Sequence, residues 1–187
     1  LYRPCGGPRG RALASSPVRV MRCFSFLDLS GFTAYTETHG DEEAVRVLSQ
    51  LRTVLRRHAE SHGVRVTKWL GDGAMVAGTD TAAVVDFTLE VAEWHLEHET
   101  LPLRAGVADG LVIMFEGDDY VGAAVNLAAR LGQIAAPGQV LISGEIGARL
   151  WTRHPARAMP PGPVPGFAAP VPVSELLLGS GADAATP

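Results

Sequence analysis

The feature that most constrains this sequence is a hairpin set between two helices. Residues 64–70 and 74–78 are short and largely apolar, and Gly71-Asp72-Gly73 joins them as a tight antiparallel turn would. Before the hairpin, residues 41–61 carry helical period. Val45, Leu48, Leu51 and Leu55 fall on one stripe, and Arg46, Arg52, Arg56 and Glu60 fall largely off it. Asp41, Glu42 and Glu43 suit the positive end of that helix, and Gly63 suits its stop. After the hairpin, residues 80–98 place Val84, Phe87, Val91 and His95 along one helical face.

The remaining segments extend this pattern. A strand is predicted over 18–29, and Ser30-Gly31-Phe32-Thr33 turns into a helical stretch. Strands follow near 103–109 and 111–116, then a loop, Glu116-Gly117-Asp118-Asp119, and a helix over 122–135. Residues 139–143 read as a strand, 145–151 as a short helix, the Pro-rich 155–170 as irregular, and 171–178 as a last strand. The order β-α-α-β-β-α-β-β-α-β-α-β predicts an α+β fold with a ferredoxin-like βαββαβ core and additions. One domain over 18–178 is expected, between a flexible leader, 1–17, and a small-residue tail, 179–187.

Composition excludes several classes. A net charge of -4 argues against a nucleic-acid partner, which would call for a basic face. No stretch approaches the length of a transmembrane helix, so no membrane insertion by this chain is expected, and the leader lacks the apolar run of a signal peptide. Cys5 and Cys23 have no metal-like spacing. They fit a reducing, cytoplasmic setting, with Cys23 as a small core residue. His95 and His98, near Glu93, Glu97 and Glu99, lack the HExxH order and read as a solvated helix face. The leader's GGPRGR lacks the Gly-Lys-Ser/Thr ending of a phosphate-binding loop.

Three segments break their local rules. In FSFLDLSGFT, strand alternation puts Asp28 on the face of Phe24 and Phe26, where a carboxylate is costly unless paired or metal-bound. It stands at a strand end before Ser30, Gly31, Phe32 and Thr33, whose backbone amides suit a polyphosphate; a helix-capping role for Asp28 is equally open. In VRVTKWLGDGAMV, alternation puts Lys68 on the face of Val64 and Val66, either reaching to solvent or serving as a pocket donor. Asp72 at the hairpin tip is, alone, an ordinary turn residue. In GDDYVGAAVNLAARL, Asn126 and Arg130 share a helix face, which makes either a solvated edge or a site, and Asp119 precedes that helix by about one turn.

Together these three motifs, in order and with suitable spacing over residues 20–178, resemble the class III adenylyl/guanylyl cyclase catalytic domain. GPVPGFAAPVPVSEL is similar to the family's final strand region. The resemblance implies that Asp28 and Asp72 bind two Mg²⁺ or Mn²⁺ ions per active site. It implies that Lys68 and Asp119 read the base, that Asn126 orients the ribose, and that Arg130 steadies the transition state. It further implies a head-to-tail homodimer in which the metal aspartates come from one subunit and the other four groups from its partner.

Donor and acceptor chemistry then favours ATP. Adenine offers an acceptor at N1 and a donor at N6, Lys68 only donates, and ionised Asp119 only accepts. Adenylate cyclase activity is the leading expectation; a silent nucleotide-binding module and a guanylate cyclase are the alternatives. Where many relatives carry His or Thr, this chain has Ala108 and Asp109. Asp109 reads as structural, with an effect on metal affinity left open. Arg149, Arg153 and Arg157 are candidates for the terminal phosphates.

Overall fold

A computed structural model describes residues 18–98, 101–115, 119–160 and 162–179. The leader and all of the tail beyond Gly179 lie outside the described residues. Along the chain the elements are β1 (Arg19–Leu29), α1 (Phe32–His39), α2 (Asp41–His62), β2 (Arg65–Leu70), β3 (Gly73–Gly78) and α3 (Thr81–His98). Then come β4 (Leu103–Phe115), β5 (Asp119–Val121), α4 (Ala123–Ile134), β6 (Val140–Ser143), α5 (Gly144–Leu150), β7 (Ala156–Ala158) and β8 (Val173–Leu176).

One open sheet runs β2-β3-β1-β4-β6-β8-β7, with β5 folded back on β4. Its first four strands pair antiparallel and have the ferredoxin-like order, with β1 between β3 and β4. Among the described residues only β4 and β6 pair in parallel. Helices α2, α3 and α5 cover one face over a core that includes Leu27, Leu51, Leu55, Val84, Phe87 and Ile146. Helix α4 covers the other face, over Phe24, Met75, Ala108 and Ala128.

Local signals explain most of these elements. Helix α2 begins on three acids and ends at Gly63, whose left-handed φ of 63° lets its N–H turn back to the carbonyls of Ala59 and Glu60. The hairpin turns at Gly71, with φ 66°. Cys23 is the buried core residue expected, and burial, with Asp109 nearby, pushes its thiol well above the usual range.

Four details differ from the expectation. The apolar stripe of α2 is rotated: Ala44, Val47, Leu51, Val54, Leu55 and Ala59 are buried, whereas Val45 is 61% exposed. Residues 103–115 form one strand, because β1 pairs with it without a break from Leu29↔Leu103 to Arg19↔Ile113, and that ladder carries Gly110 through. The Pro-rich segment contains β7, and its Val164 is buried with Leu131, Ala135 and Leu141 under the end of α4. His95 is no solvated residue. It is 3% exposed, its Nε2 lies 2.5 Å from the Leu101 carbonyl, and burial lowers its pKa.

Candidate active site

Strand alternation in β1 divides its side chains between the two faces. Cys23, Leu27 and Leu29 enter the α2/α3 core, and Phe24 and Phe26 pack toward α4. Asp28 follows the second set to the strand's end, where it lines a cavity of about 290 Å³ with Phe26, Gly73, Arg104 and Gln133. Its cross-strand neighbours are Gly73 on β3 and Arg104 on β4.

Gly73 decides how close the hairpin comes. A Cβ there would lie 2.4 Å from the Leu27 carbonyl oxygen and 3.2 Å from Asp28 Oδ1. Only glycine lets the tip close against β1. The Leu29 N–H donates to the Asp72 carbonyl at 3.3 Å, which fixes Asp72 beside Asp28. The Asp72 carboxyl is pushed up in pKa, first by burial and next by the charge of Asp28, while Arg104 pulls it down.

Arg104 was not singled out by sequence. Its Nε and Nη2 donate to Asp28 Oδ2 at 3.0 and 2.6 Å, and its Nη1 donates to the Gln133 carbonyl at 3.2 Å. The available signal was strand register alone, since 76 residues separate the pair in sequence. Arg149, Arg153 and Arg157 are engaged elsewhere, with Asp109, Asp86 and Glu175 respectively. Asp109 also accepts from the Thr81 hydroxyl at 2.9 Å, so it ties β4 to α3 and α5.

The residues present fit divalent cations. Two hard carboxylates stand close together, and the Asp72 carboxyl is raised first by burial and next by the charge of Asp28. Among the described residues no group of three or more His, Cys, Asp or Glu forms a closed cage. A pair of carboxylates leaving positions for water and phosphate oxygens is the arrangement Mg²⁺ favours.

Thr67 alters the expected placement of Lys68. The β2–β3 register shifts between Val66 and Lys68, so Val66 pairs with Val76 but Lys68 pairs with Met75. The bulge moves Lys68 off the face of Val66 onto that of Met75 and Phe24. There its ammonium pairs with the Asp119 carboxylate of β5, each side chain 46% exposed. The two residues expected to act as a pair are thus in contact.

Asn126 and Arg130 lie on the exposed face of α4, as their spacing predicts. They line a second cavity, of about 470 Å³, with Ala123, Gln133 and Phe167. At the turn before α1, Gly31 adopts φ 81° and the helix start has no side-chain cap. The Ser30 N–H is already given to the Pro102 carbonyl at 2.8 Å, so it is not a free phosphate donor, and the Ser30 hydroxyl is buried without a partner among the described residues. The Phe32 ring packs against the core and Thr33 is exposed.

A β2-β3-β1-β4 antiparallel sheet with carboxylates at the end of β1 and the adjoining hairpin tip has the architecture of a class III nucleotidyl cyclase catalytic domain. Residues 20–159 match the model of the adenylate and guanylate cyclase catalytic domain, and the chain belongs to that family. It is 36% identical over 145 residues to an adenylate cyclase of Streptomyces coelicolor, covering 71% of this chain and 38% of that protein. It resembles the crystal structure of the adenylyl cyclase CyaB from P. aeruginosa with a TM-score of 0.75 and 26% identity, over 87% of this chain and 96% of the other. The guanylate cyclase domain of RhGC from Catenaria anguillulae, solved with GTP, shares the fold at a TM-score of 0.78 and 18% identity, over 86% and 98% of the two chains. The chain spans 40% or less of the length of the curated relatives it matches. Among the described residues no helix is long and apolar enough to cross a membrane.

Proposed function

We propose that this domain is an adenylate cyclase. It converts ATP to 3′,5′-cyclic AMP and pyrophosphate at sites shared across a head-to-tail homodimer in the cytoplasm. The observation that carries this reading is the joining of Asp28 and Asp72 by the β1–β3 register and the missing side chain of Gly73. Asp28 and Asp72 would hold two Mg²⁺ or Mn²⁺ ions, which when bound lower the pKa of the 3′-hydroxyl and offset the charge of the triphosphate.

The ribose 3′-oxygen attacks the α-phosphorus, its proton is lost, and the bond to the bridging oxygen of pyrophosphate breaks. Negative charge grows on the phosphoryl oxygens. Arg130, always charged and with several donors, meets that charge from the partner subunit. Asn126 holds the ribose so that the 3′-oxygen stays in line. The first-turn amides at Phe32 and Thr33 receive phosphate oxygens.

Lys68 and Asp119 select the base. Lys68 donates to adenine N1 and Asp119 accepts from N6. Guanine presents O6 and N1–H instead, so both groups would be mispaired, and such mispairing is strongly discriminating. Their mutual ion pair is half exposed and therefore weak enough to yield to a purine.

Purified dimer assayed with ATP and GTP, each with Mg²⁺ and Mn²⁺, tests this reading. ATP is expected to be preferred by about 10²-fold or more in kcat/KM. Asp119→Ala is expected to lower kcat/KM for ATP about tenfold and to narrow that preference, with folding unchanged. Equal rates with the two nucleotides would overturn the base assignment. ATP binding without product under every metal condition would favour the silent module.

A further inference from the structure

We propose that Gln133 is the positioning residue for Arg130, an inference that rests on the cyclase reading for its kinetic consequence but on geometry for the contact itself. Gln133 lies one helical turn beyond Arg130 on the same face of α4, and its Oε1 accepts a hydrogen bond from Arg130 Nη1 at 2.7 Å. An exposed arginine loses much rotamer freedom when it is fixed, and a preplaced acceptor removes part of that cost before substrate arrives. Arginine has five donors, so one bond to Gln133 leaves the rest of the fork for phosphoryl oxygens.

The acceptor's chemistry separates this arginine from Arg104 and from the three candidates for the terminal phosphates. Arg104, Arg149, Arg153 and Arg157 are each paired with a carboxylate. Arg130 is held by a neutral amide. A carboxylate there would fix the guanidinium equally well but cancel the charge that a phosphorane needs. An amide fixes it and leaves the charge intact.

Gln133 is itself well placed. Its neighbour Gly132 packs against the β4 backbone at Gly106, so this end of α4 sits at backbone contact with the sheet. The backbone carbonyl oxygen of Gln133 accepts from Arg104, which is anchored on Asp28. Gln133 and Ala129 are the residues common to the Asp28 cavity and the Arg130 cavity. Gln133 is therefore the polar side chain standing between the two halves of the chemistry that one chain supplies.

The test compares Gln133→Met, of similar shape without an acceptor, and Gln133→Glu, with an acceptor that is charged. Each is made in the wild-type chain and in an Arg130→Ala chain. Gln133→Met is expected to lower kcat about tenfold with KM for ATP within about twofold, and to have no further effect once Arg130 is absent. By side-chain NMR, rotation of the Arg130 guanidinium is expected to be faster in Gln133→Met than in wild type and to stay slow in Gln133→Glu, although Gln133→Glu also loses kcat. The same loss from Gln133→Met in both backgrounds, a rise in KM instead of a fall in kcat, or unchanged guanidinium rotation would each overturn the proposal. A wild-type dimer that makes no cyclic nucleotide would refute the cyclase reading, and the NMR comparison would still decide whether Gln133 holds Arg130.

Discussion

Asp72→Asn is expected to lower cyclic nucleotide production by about 10³-fold or more, while raising the melting temperature of the metal-free protein by about 1 °C, a small gain because solvent screens this half-exposed carboxylate. The two effects have one cause. Asp72 is held beside Asp28 by the Leu29–Asp72 backbone bond and the close approach at Gly73. Its folded pKa is raised, so folding disfavours its ionised form, and the associated stability is lost as pH rises through that pKa. At neutral pH the ionised pair therefore weighs on the metal-free fold. Asparagine relieves the repulsion and, with it, removes a carboxylate that would hold the cations. Mn²⁺ should raise the melting temperature of wild type by mass action and leave the variant nearly unmoved. Scanning calorimetry with and without Mn²⁺ checks this. A variant that is less stable without metal, or that still gains stability from Mn²⁺, would contradict the electrostatic account.

Gly106→Ala is expected to have the largest effect on the fold itself. A Cβ at Gly106 would lie 2.0 Å from the Gly132 nitrogen, 2.4 Å from the Ala128 carbonyl oxygen and 2.6 Å from the Leu131 carbonyl carbon. All three are backbone atoms of α4 and none can swing aside. The helix must lift from β4 as a unit, which opens the cluster around Phe24 and Ala128 and carries Asn126, Arg130 and Gln133 away from Arg104. A loss of about 4 kcal/mol or more in urea unfolding, or failure to fold, is expected. Gly110→Ala on the same strand is the control. There the added atom meets only the Ala124 Cβ, at 3.2 Å, a contact that a small shift relieves, and a cost below about 1.5 kcal/mol is expected. Similar losses for the two would mean that the close approach at Gly106 is not what seats α4.

The difference between these glycines shows what kind of information a sequence carries on its surface. The hairpin, α2 and α3 were legible because period and turn chemistry are local: Gly63 and Gly71 sit at left-handed positions where a stop and a turn were expected. The face of Asp28 followed from alternation alone. The face of Lys68 did not, because the bulge at Thr67 is set by pairing with β3 and reverses the parity of everything after it. Gly110 looked like a break between strands, yet its partner on β1, Arg22, continues the ladder. Arg104 stands in no local motif, and its link to Asp28 exists only once β1 and β4 are in register. His95 sat beside acids in sequence but turns inward, where the Leu101 carbonyl meets it. Local pattern gave the elements, and only the resemblance of the three motifs together joined Asp28 to Asp72. Tertiary register gave the partners of that pair.

The composite site is the claim on which the rest depends, and mixing two strongly impaired chains tests it. An Asp72→Ala chain retains Arg130, and an Arg130→Ala chain retains Asp72, so a head-to-tail heterodimer would rebuild one intact site. With random subunit exchange at equal concentrations, half of the dimers are mixed and half of their sites are whole, so about a quarter of wild-type activity should return. Mixed dimers demonstrated by differential tagging, yet no more active than either parent, would contradict a site divided between two subunits.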